Sequence, residues 1–329
     1  MIPAKVLELD CAAAIESIAA ALRRIVLEDL KRRGIVVGMS GGIDSSVVAA
    51  LSVRALGSDR VIGLFLPERD SSPESLALAS ELASGLGIRA ETVDLGPALE
   101  ALGCYRYRDE AIRTVLPDFG PGWRSKIVLP PLAERARVNV FRVVALSPEG
   151  ETRSARLPID AYLQVVAASN MKQRARKLTE YFHAERHHFA VAGTPNRLEY
   201  DQGFFVKGGD GLADVKPIAH LYKTQVYALA EALGVPESIR TRPPTTDTYS
   251  MPQTQEEFYF ALPYAQMDLC LWARNHGVPA AEAAPAIGLS AAQVEQVYRD
   301  IESKRRTTRY LHLPPLLVEP VPELRRSEG

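Results

Sequence analysis

Two stretches of this chain hold residue types that handle phosphate and carboxylate chemistry. The first, GIVVGMSGGIDSSVV, begins at Gly34. An apolar run feeds a knot of small residues, and alternating apolar positions leave it. A strand, a small-residue turn and a helix start is how an α/β sheet builds an anion site beyond the carboxyl ends of its strands. Gly41 and Gly42 let the backbone come close, and exposed N–H groups with the helix dipole attract phosphate. Ser40, Ser45 and Ser46 add hydroxyl donors. Asp44 is the odd member, because a carboxylate repels phosphate unless a divalent cation bridges the two. No lysine follows the glycines and G-x-G-x-x-G is absent, so neither a Walker A loop nor a Rossmann dinucleotide turn accounts for the run. A strand–helix turn that binds nothing would explain a Gly-Gly pair but explains SGGIDSS poorly.

The second stretch is AGTPNRLEYDQGFFVKGGDGLADVKPIAHLYKTQV, from Ala192 onward. It is too rich in Gly, Asp and Lys to be packing alone. SGGIDSS resembles the pyrophosphate loop of the N-type ATP pyrophosphatases, which activate a substrate as its adenylate and release pyrophosphate. GMP, asparagine, argininosuccinate and NAD synthetases share that loop, so it marks the chemistry and not the substrate. The second stretch resembles the NAD synthetases through GT, the Glu five residues on, GFF.K.GDG.AD and LYKTQ. The likeness continues in NMKQRAR from Asn170, in PPTTD from Pro243 and in the KR of ESKRR near Lys304. Arg174, Thr194, Glu199, Lys207, Asp214, Lys223 and Thr245 all fall in register with that family.

The resemblance implies a role for each matching residue. Gly38, Ser40, Gly41, Gly42, Asp44, Ser45, Ser46, Thr194, Lys223 and Thr245 would bind ATP, the co-substrate. Asp44, Lys223 and Thr245 would act in catalysis, and Asp44 and Glu199 would hold Mg²⁺. Arg174, Lys207, Asp214 and Lys304 would bind nicotinic acid adenine dinucleotide. The implied reaction is attack of the pyridine carboxylate on the ATP α-phosphorus, then displacement of AMP by ammonia. An acyl-adenylate hydrolyses in water, so a lid is expected; its candidate parts are the loops from Tyr200 to Gly211 and from Pro243 to Thr254. A homodimer is also implied. Nothing before Gly34 is large enough for a glutaminase domain, which makes free ammonia the simplest nitrogen source and leaves a separate amidotransferase open as a partner.

The elements that must position these residues read as an α/β protein, a doubly wound parallel sheet flanked by helices of the adenine nucleotide alpha hydrolase-like kind. Ile35–Met39, Arg60–Leu66, Arg89–Leu95 and His187–Ala192 read as strands. Helical spacing marks Asp10–Arg33, Asp44–Leu56, Ser72–Leu86, Leu163–His183, Tyr222–Leu233, Ala261–His276 and Ser290–Ser303. The expected organisation is one domain over 1–329, with a family-like core at 34–95 and 161–310 and a helical C-terminal part. The stretch 104–160 interrupts the rhythm as an insertion; VNVFRVVALSPEGETRSARLP within it reads as a β-hairpin turning at SPEGE. Its alternatives are a surface or dimer-contact elaboration, which is preferred, or a remodelled acceptor pocket using Arg106, Arg108, Trp123 or Arg124. Tyr105 and Tyr107 among arginines weakly suggest nucleotide stacking. The loop LPERDSSPES after the second strand replaces a Gly-Thr-Gln-rich one, with Arg69 and Ser72 as possible ATP contacts. Ser303 stands where the family has a histidine.

Bulk composition sets bounds. The 329 residues are 47% hydrophobic and 24% charged, enough for a core without disulfides or a structural metal. Lys and Arg number 39 against 40 acids, so no global field favours nucleic acid and any anion site must be local. The three cysteines, Cys11, Cys104 and Cys270, form no CxxC pair, and no histidine stands at zinc-ligand spacing. They read as small buried thiols in a reducing compartment, and His187 and His188 read as packing or surface groups. No apolar run approaches membrane-spanning length, so the expected location is the cytoplasm. Two other functions stay open: a ligase of the same type amidating a different carboxylate, and an inactive nucleotide-binding subunit. Presence of both Asp44 and Glu199 argues against the second.

Overall fold

A computed structural model describes residues 2, 3, 5–128, 141–243, 249–251, 259 and 262–322. In chain order the first half contains α1 (Cys11–Arg24), β1 (Ile35–Gly38), α2 (Ile43–Leu56), β2 (Val61–Phe65), α3 (Pro73–Leu86), β3 (Arg89–Thr92), α4 (Gly96–Ala101) and α5 (Cys104–Arg113). Next come β4 (Arg124–Val128), β5 (Arg142–Leu146), β6 (Thr152–Arg156), α6 (Ile159–His187) and β7 (Ala190–Ala192). The rest is helical: α7 (Arg197–Gln202), α8 (Lys223–Ala232), α9 (Glu237–Arg240), α10 (Tyr264–Asn275), α11 (Ala280–Ile287) and α12 (Ala291–Thr308).

Ile35, Val36 and Val37 are wholly buried because β1 lies inside a four-stranded parallel sheet of order β3-β2-β1-β7. Ile35 and Val37 face one core with Leu22 of α1, Val47 and Leu51 of α2, Leu82 of α3 and Leu229 of α8. Val36 faces the other, with Leu99 of α4, Tyr105 of α5 and Ala184 of α6. Burial on both faces is why such a strand reads as an unbroken apolar run. The doubly wound α/β reading holds. A separate apolar cluster of α10, α11 and α12 forms the helical C-terminal part.

The expected hairpin is β5 paired antiparallel with β6, and β4 adds a third strand on the far side of β5. Ser125 and Ile127 of β4 are buried on one face, an alternation too short to stand out in RSKIV. YRYRDE is the body of α5, packed along α6. The Leu163–His183 helix is longer than its pattern, spanning 29 residues, about 44 Å. Its start packs on the antiparallel sheet through Ala161 and Val165 and its end on the parallel sheet through Ala184, so its buried face changes and the periodicity blurs. His187, read as a strand start, is the last residue of this helix, and the strand is only Ala190–Ala192.

One buried charge cluster fixes the loop after β2. The Lys172 ammonium of α6 donates to Glu68 at 3.1 Å and to Asp70 at 2.6 Å. Arg108 of α5 donates to Asp70 at 2.6 Å, and the Tyr105 hydroxyl donates to Glu68 at 2.8 Å. The Tyr105 ring lies under the Arg69 guanidinium at 3.7 Å and is unavailable for nucleotide stacking. Lys172→Met leaves two buried carboxylates short of a cation, and removing one partner of such a set costs about 3–5 kcal/mol. Urea unfolding at neutral pH should show that loss; a change under about 1 kcal/mol would mean the cluster is dispensable.

Candidate functional site

The small-residue corner joins the end of β1 to the start of α2. Gly41 turns the chain at φ +72°, where a Cβ would lie 2.3 Å from the Ser75 carbonyl oxygen, so only glycine fits. Gly38 is small for another reason: a Cβ there would meet the Glu180 carboxylate at 2.8 Å. The Ser40 N–H donates to Ser45 Oγ and the Gly42 N–H donates to Ser40 Oγ, both at 3.3 Å. These bonds are long, and a phosphate oxygen would replace them with shorter, charge-assisted ones. Ser46 turns inward instead; its buried hydroxyl donates to the Gly42 carbonyl at 2.8 Å and braces the corner from behind.

Asp44 lies in the first turn of α2, where the helix dipole favours a carboxylate. One of its oxygens pairs with the ammonium of Lys223, the wholly buried first residue of α8. The other accepts from the Asn196 side-chain amide at 3.0 Å. Asn196 caps α7 reciprocally with Glu199. Its backbone N–H donates to the Glu199 carboxylate at 3.0 Å, and its side-chain oxygen accepts from the Glu199 N–H at 3.2 Å. Residues 44, 196, 199 and 223 therefore meet although 179 positions separate the outermost two.

Burial, and then the neighbouring charge of Asp44, push the Glu199 carboxyl up to about 8 against the pull of Lys223. Burial works against the Lys223 charge, but Asp44 and Glu199 more than offset it and hold the ammonium above its ordinary value. Two close carboxylates share one fixed cation, which balances a single ionised carboxylate. Such hard oxygen donors could hold a hard divalent cation.

A cleft of about 490 Å³ opens over this corner. Gly38, Ser40, Gly42, Asp44, Ser45, Thr194 and Glu199 line it, with Arg174 and Lys207 on another wall. The Arg174 guanidinium donates to the Lys207 carbonyl at 3.3 Å, and the Lys207 ammonium donates to the carbonyls of Tyr310 and Leu313 at 2.9 and 3.0 Å. Tyr310 and Leu311, in the short 3-10 turn after α12, also line the cleft, so the C-terminal segment lies across its edge. The proposed lid from Tyr200 to Gly211 contributes Gly203–Lys207 and Asp210 to the wall. Thr245 and most of the second proposed lid lie outside the described residues.

Two expected substrate contacts are not brought to this cleft. The Asp214 carboxylate accepts from the Val191 N–H at 2.8 Å and from the Tyr181 hydroxyl at 3.2 Å, which ties its loop to β7. The Lys304 ammonium donates to the Tyr259 carbonyl at 2.6 Å and pairs with Asp300 at 2.7 Å; the cleft-side contact of the C-terminal segment is made further on, by Tyr310. Ser72 lines the cleft but Arg69 does not, nor do Arg106, Arg108, Trp123 or Arg124. Arg108 is committed to Asp70.

Sequence reasoning missed Asn196, although Asn-x-x-Glu in PNRLE is a capping-box spacing that could have flagged it. It also missed Asp268. This buried carboxylate accepts from the backbone N–H of Lys223 at 3.3 Å and of Thr224 at 2.8 Å, which fixes the start of α8. No local signal in α10 announces that task. It missed Arg242 as well, which lines the cleft and donates to Ser75 Oγ at 3.0 Å.

The model of the NAD synthase family matches residues 14–140 and 138–310, which takes in the 104–160 segment. The chain belongs to the NAD synthase family. It is 60% identical over 311 residues to the NH(3)-dependent NAD(+) synthetase of Mesorhizobium japonicum, covering 94% of this chain and 98% of that one. It is 58% identical over 321 residues to the NH(3)-dependent NAD(+) synthetase of Rhizobium meliloti, covering 98% and 96%. The fold matches the NMN synthetase structure from Francisella tularensis at a TM-score of 0.66, with 22% identity over 94% of this chain and 99% of that one. NAD synthase family membership agrees with the resemblance carried by the two motif stretches.

The raised Glu199 carboxyl has a consequence for stability. From an ordinary value of 4.5 the folded state holds this proton up to about 8. The native state therefore binds more protons than the unfolded chain across that window, and stability falls as pH rises through it. Glu199→Gln should flatten this fall, so the variant gains on the wild type between pH 5 and pH 8 in chemical denaturation. Parallel curves for the two proteins would show that Glu199 is ionised in the folded state at neutral pH.

Proposed function

We propose that this chain catalyses the ATP-dependent amidation of nicotinic acid adenine dinucleotide by ammonia, giving NAD, AMP and pyrophosphate. The observation that carries the reading is the convergence of Asp44, Glu199 and Lys223 on the glycine-serine corner. Identity of 60% to an NH(3)-dependent NAD(+) synthetase over nearly the whole chain supports the same chemistry and nitrogen source. A carboxylate is a poor acyl donor, and adenylation gives it a good leaving group.

The chain's residues divide the work. The backbone N–H groups of Ser40 and Gly42, with the Ser40 and Ser45 hydroxyls, hold the departing pyrophosphate once it replaces their mutual bonds. Lys223, kept charged by its two acids, steadies charge that builds on the phosphates, and Thr245 is assigned to the same task. Asp44 and Glu199 would hold Mg²⁺, which when bound supplies charge neutralisation at the triphosphate. Thr194 is assigned to the adenosine of ATP, and Arg174 and Lys207 to the acid substrate; all three line the cleft. Among the described residues no helix is long and apolar enough to cross a membrane, and a cytoplasmic location is part of this reading.

The test is incubation with ATP, Mg²⁺, ammonium and nicotinic acid adenine dinucleotide while AMP, pyrophosphate and NAD are followed. Equal amounts of all three products are expected. AMP and pyrophosphate without NAD would mean that the adenylate is hydrolysed and not amidated; no product would leave a ligase for a different acid or a nucleotide-binding subunit. Asp44→Asn should lower turnover about 100-fold or more with an unchanged circular dichroism spectrum. Asp44→Ala is the poorer probe, because it strips the buried Lys223 of its paired oxygen.

The same reading includes a homodimer. Leu178 and Phe182 of α6 are 75% and 59% exposed and lie one turn apart on the helix surface. Burying them against a second copy would bring two of the long helices together. Sedimentation should show a dimer for the wild type and a monomer for Phe182→Glu; an unchanged dimer in the variant would move the interface elsewhere.

A further inference from the structure

Outside the cleft, α6 and β3 bring together a second set of ligating groups. Glu91, His183 and His187 each present one ligand atom, and these atoms lie within 4.8 Å of one another. His183 and His187 are four apart on one helix, so they share a face. Glu91 comes from the strand at the edge of the parallel sheet. None of the three lines the cleft.

The histidine nitrogens are in an unusual state for a packed protein. His183 is 4% exposed, and its Nδ1 is buried with no hydrogen-bond partner among the described residues; the Nε2 of His187 is the same. The Glu91 carboxylate stands 3.6 Å from His183 Nδ1, too far for a hydrogen bond. Buried polar atoms left unpaired signal a missing partner. The other Glu91 oxygen is held by Arg89, which orients the carboxylate as an outer partner does for a metal ligand.

We propose that Glu91, His183 and His187 form a zinc site that clamps the C-terminal end of α6 to the edge strand β3. Two imidazoles and a carboxylate, with water in a fourth position, are a donor set that suits zinc and suits magnesium poorly. Ligand atoms at tetrahedral zinc stand about 3.3 Å apart, given bonds of about 2.0–2.1 Å. The His183 Nδ1 to Glu91 separation of 3.6 Å is already near that spacing. Glu91 and His187 are only partly buried, which gives the ion a way in. The function of this site is mechanical, because α6 also carries Arg174, Arg176 and Lys177 of the cleft wall. The competing reading is a plain His183–Glu91 ion pair formed when the imidazole is protonated.

The test uses full-length protein stripped with chelator and titrated with zinc at pH 7.5 in excess magnesium, which occupies oxygen-ligand sites and leaves imidazoles free. The wild type should take up one zinc per chain and melt about 3 °C or more higher with it. His187→Ala and Glu91→Gln, at partly exposed positions, should each bind at least about 10-fold more weakly while keeping the metal-free melting temperature. Cobalt(II) substitution should give the visible bands of a four-coordinate ion in the wild type only. Absence of stoichiometric zinc uptake, or unchanged affinity in both variants, would overturn the site and leave the ion pair. NAD formation by the metal-stripped enzyme is a separate readout, so failure here leaves the amidation reading untouched.

Discussion

Two carboxylates buried against one ammonium govern the rest of this structure. Burial and the neighbouring charge of Asp44 raise the Glu199 carboxyl, and Lys223 pulls against both. Lys223 offsets the charge of one carboxylate, and Glu199 keeps its proton up to about 8. The Asn196 capping box and the Asp268 cap on α8 hold the three groups in place.

The long helix α6 is the second organising element. Its start belongs to the antiparallel sheet of the insertion, its middle carries the arginines of the cleft wall, and its end packs against the parallel sheet. Lys172 locks that middle section to Glu68 and Asp70 of the loop after β2, and Arg108 of α5 joins the same cluster. Arg108, which the sequence allowed in a substrate pocket, has a structural partner instead.

Much of the fold was legible because the parallel strands are buried on both faces and leave unbroken apolar runs. The glycine-serine corner was legible for a similar reason: its residue types are local and serve one task. What was obscured had causes that can be named. The blurred periodicity of α6 comes from its changing surroundings, and it hid the helical register of His183 and His187, so no histidine seemed to stand at ligand spacing. Tyr105 read as a stacking surface until its ring was found beneath Arg69 and its hydroxyl on Glu68. Asp214 and Lys304 matched a motif; they do not line the cleft in this structure, and hydrogen bonds join them to Val191 and Tyr259.

The sequence by itself determined the chemical class, because a phosphate cradle needs contiguous small residues after a strand and those are read directly along the chain. It also determined the doubly wound sheet, since two-sided burial writes itself into each strand. Only the tertiary structure decided which acids share a cation and which histidine nitrogens lack a hydrogen-bond partner among the described residues. Charge pairing and burial depend on through-space distances of a few ångströms between residues more than 100 positions apart, as for Asp44 and Lys223. No local pattern encodes those distances.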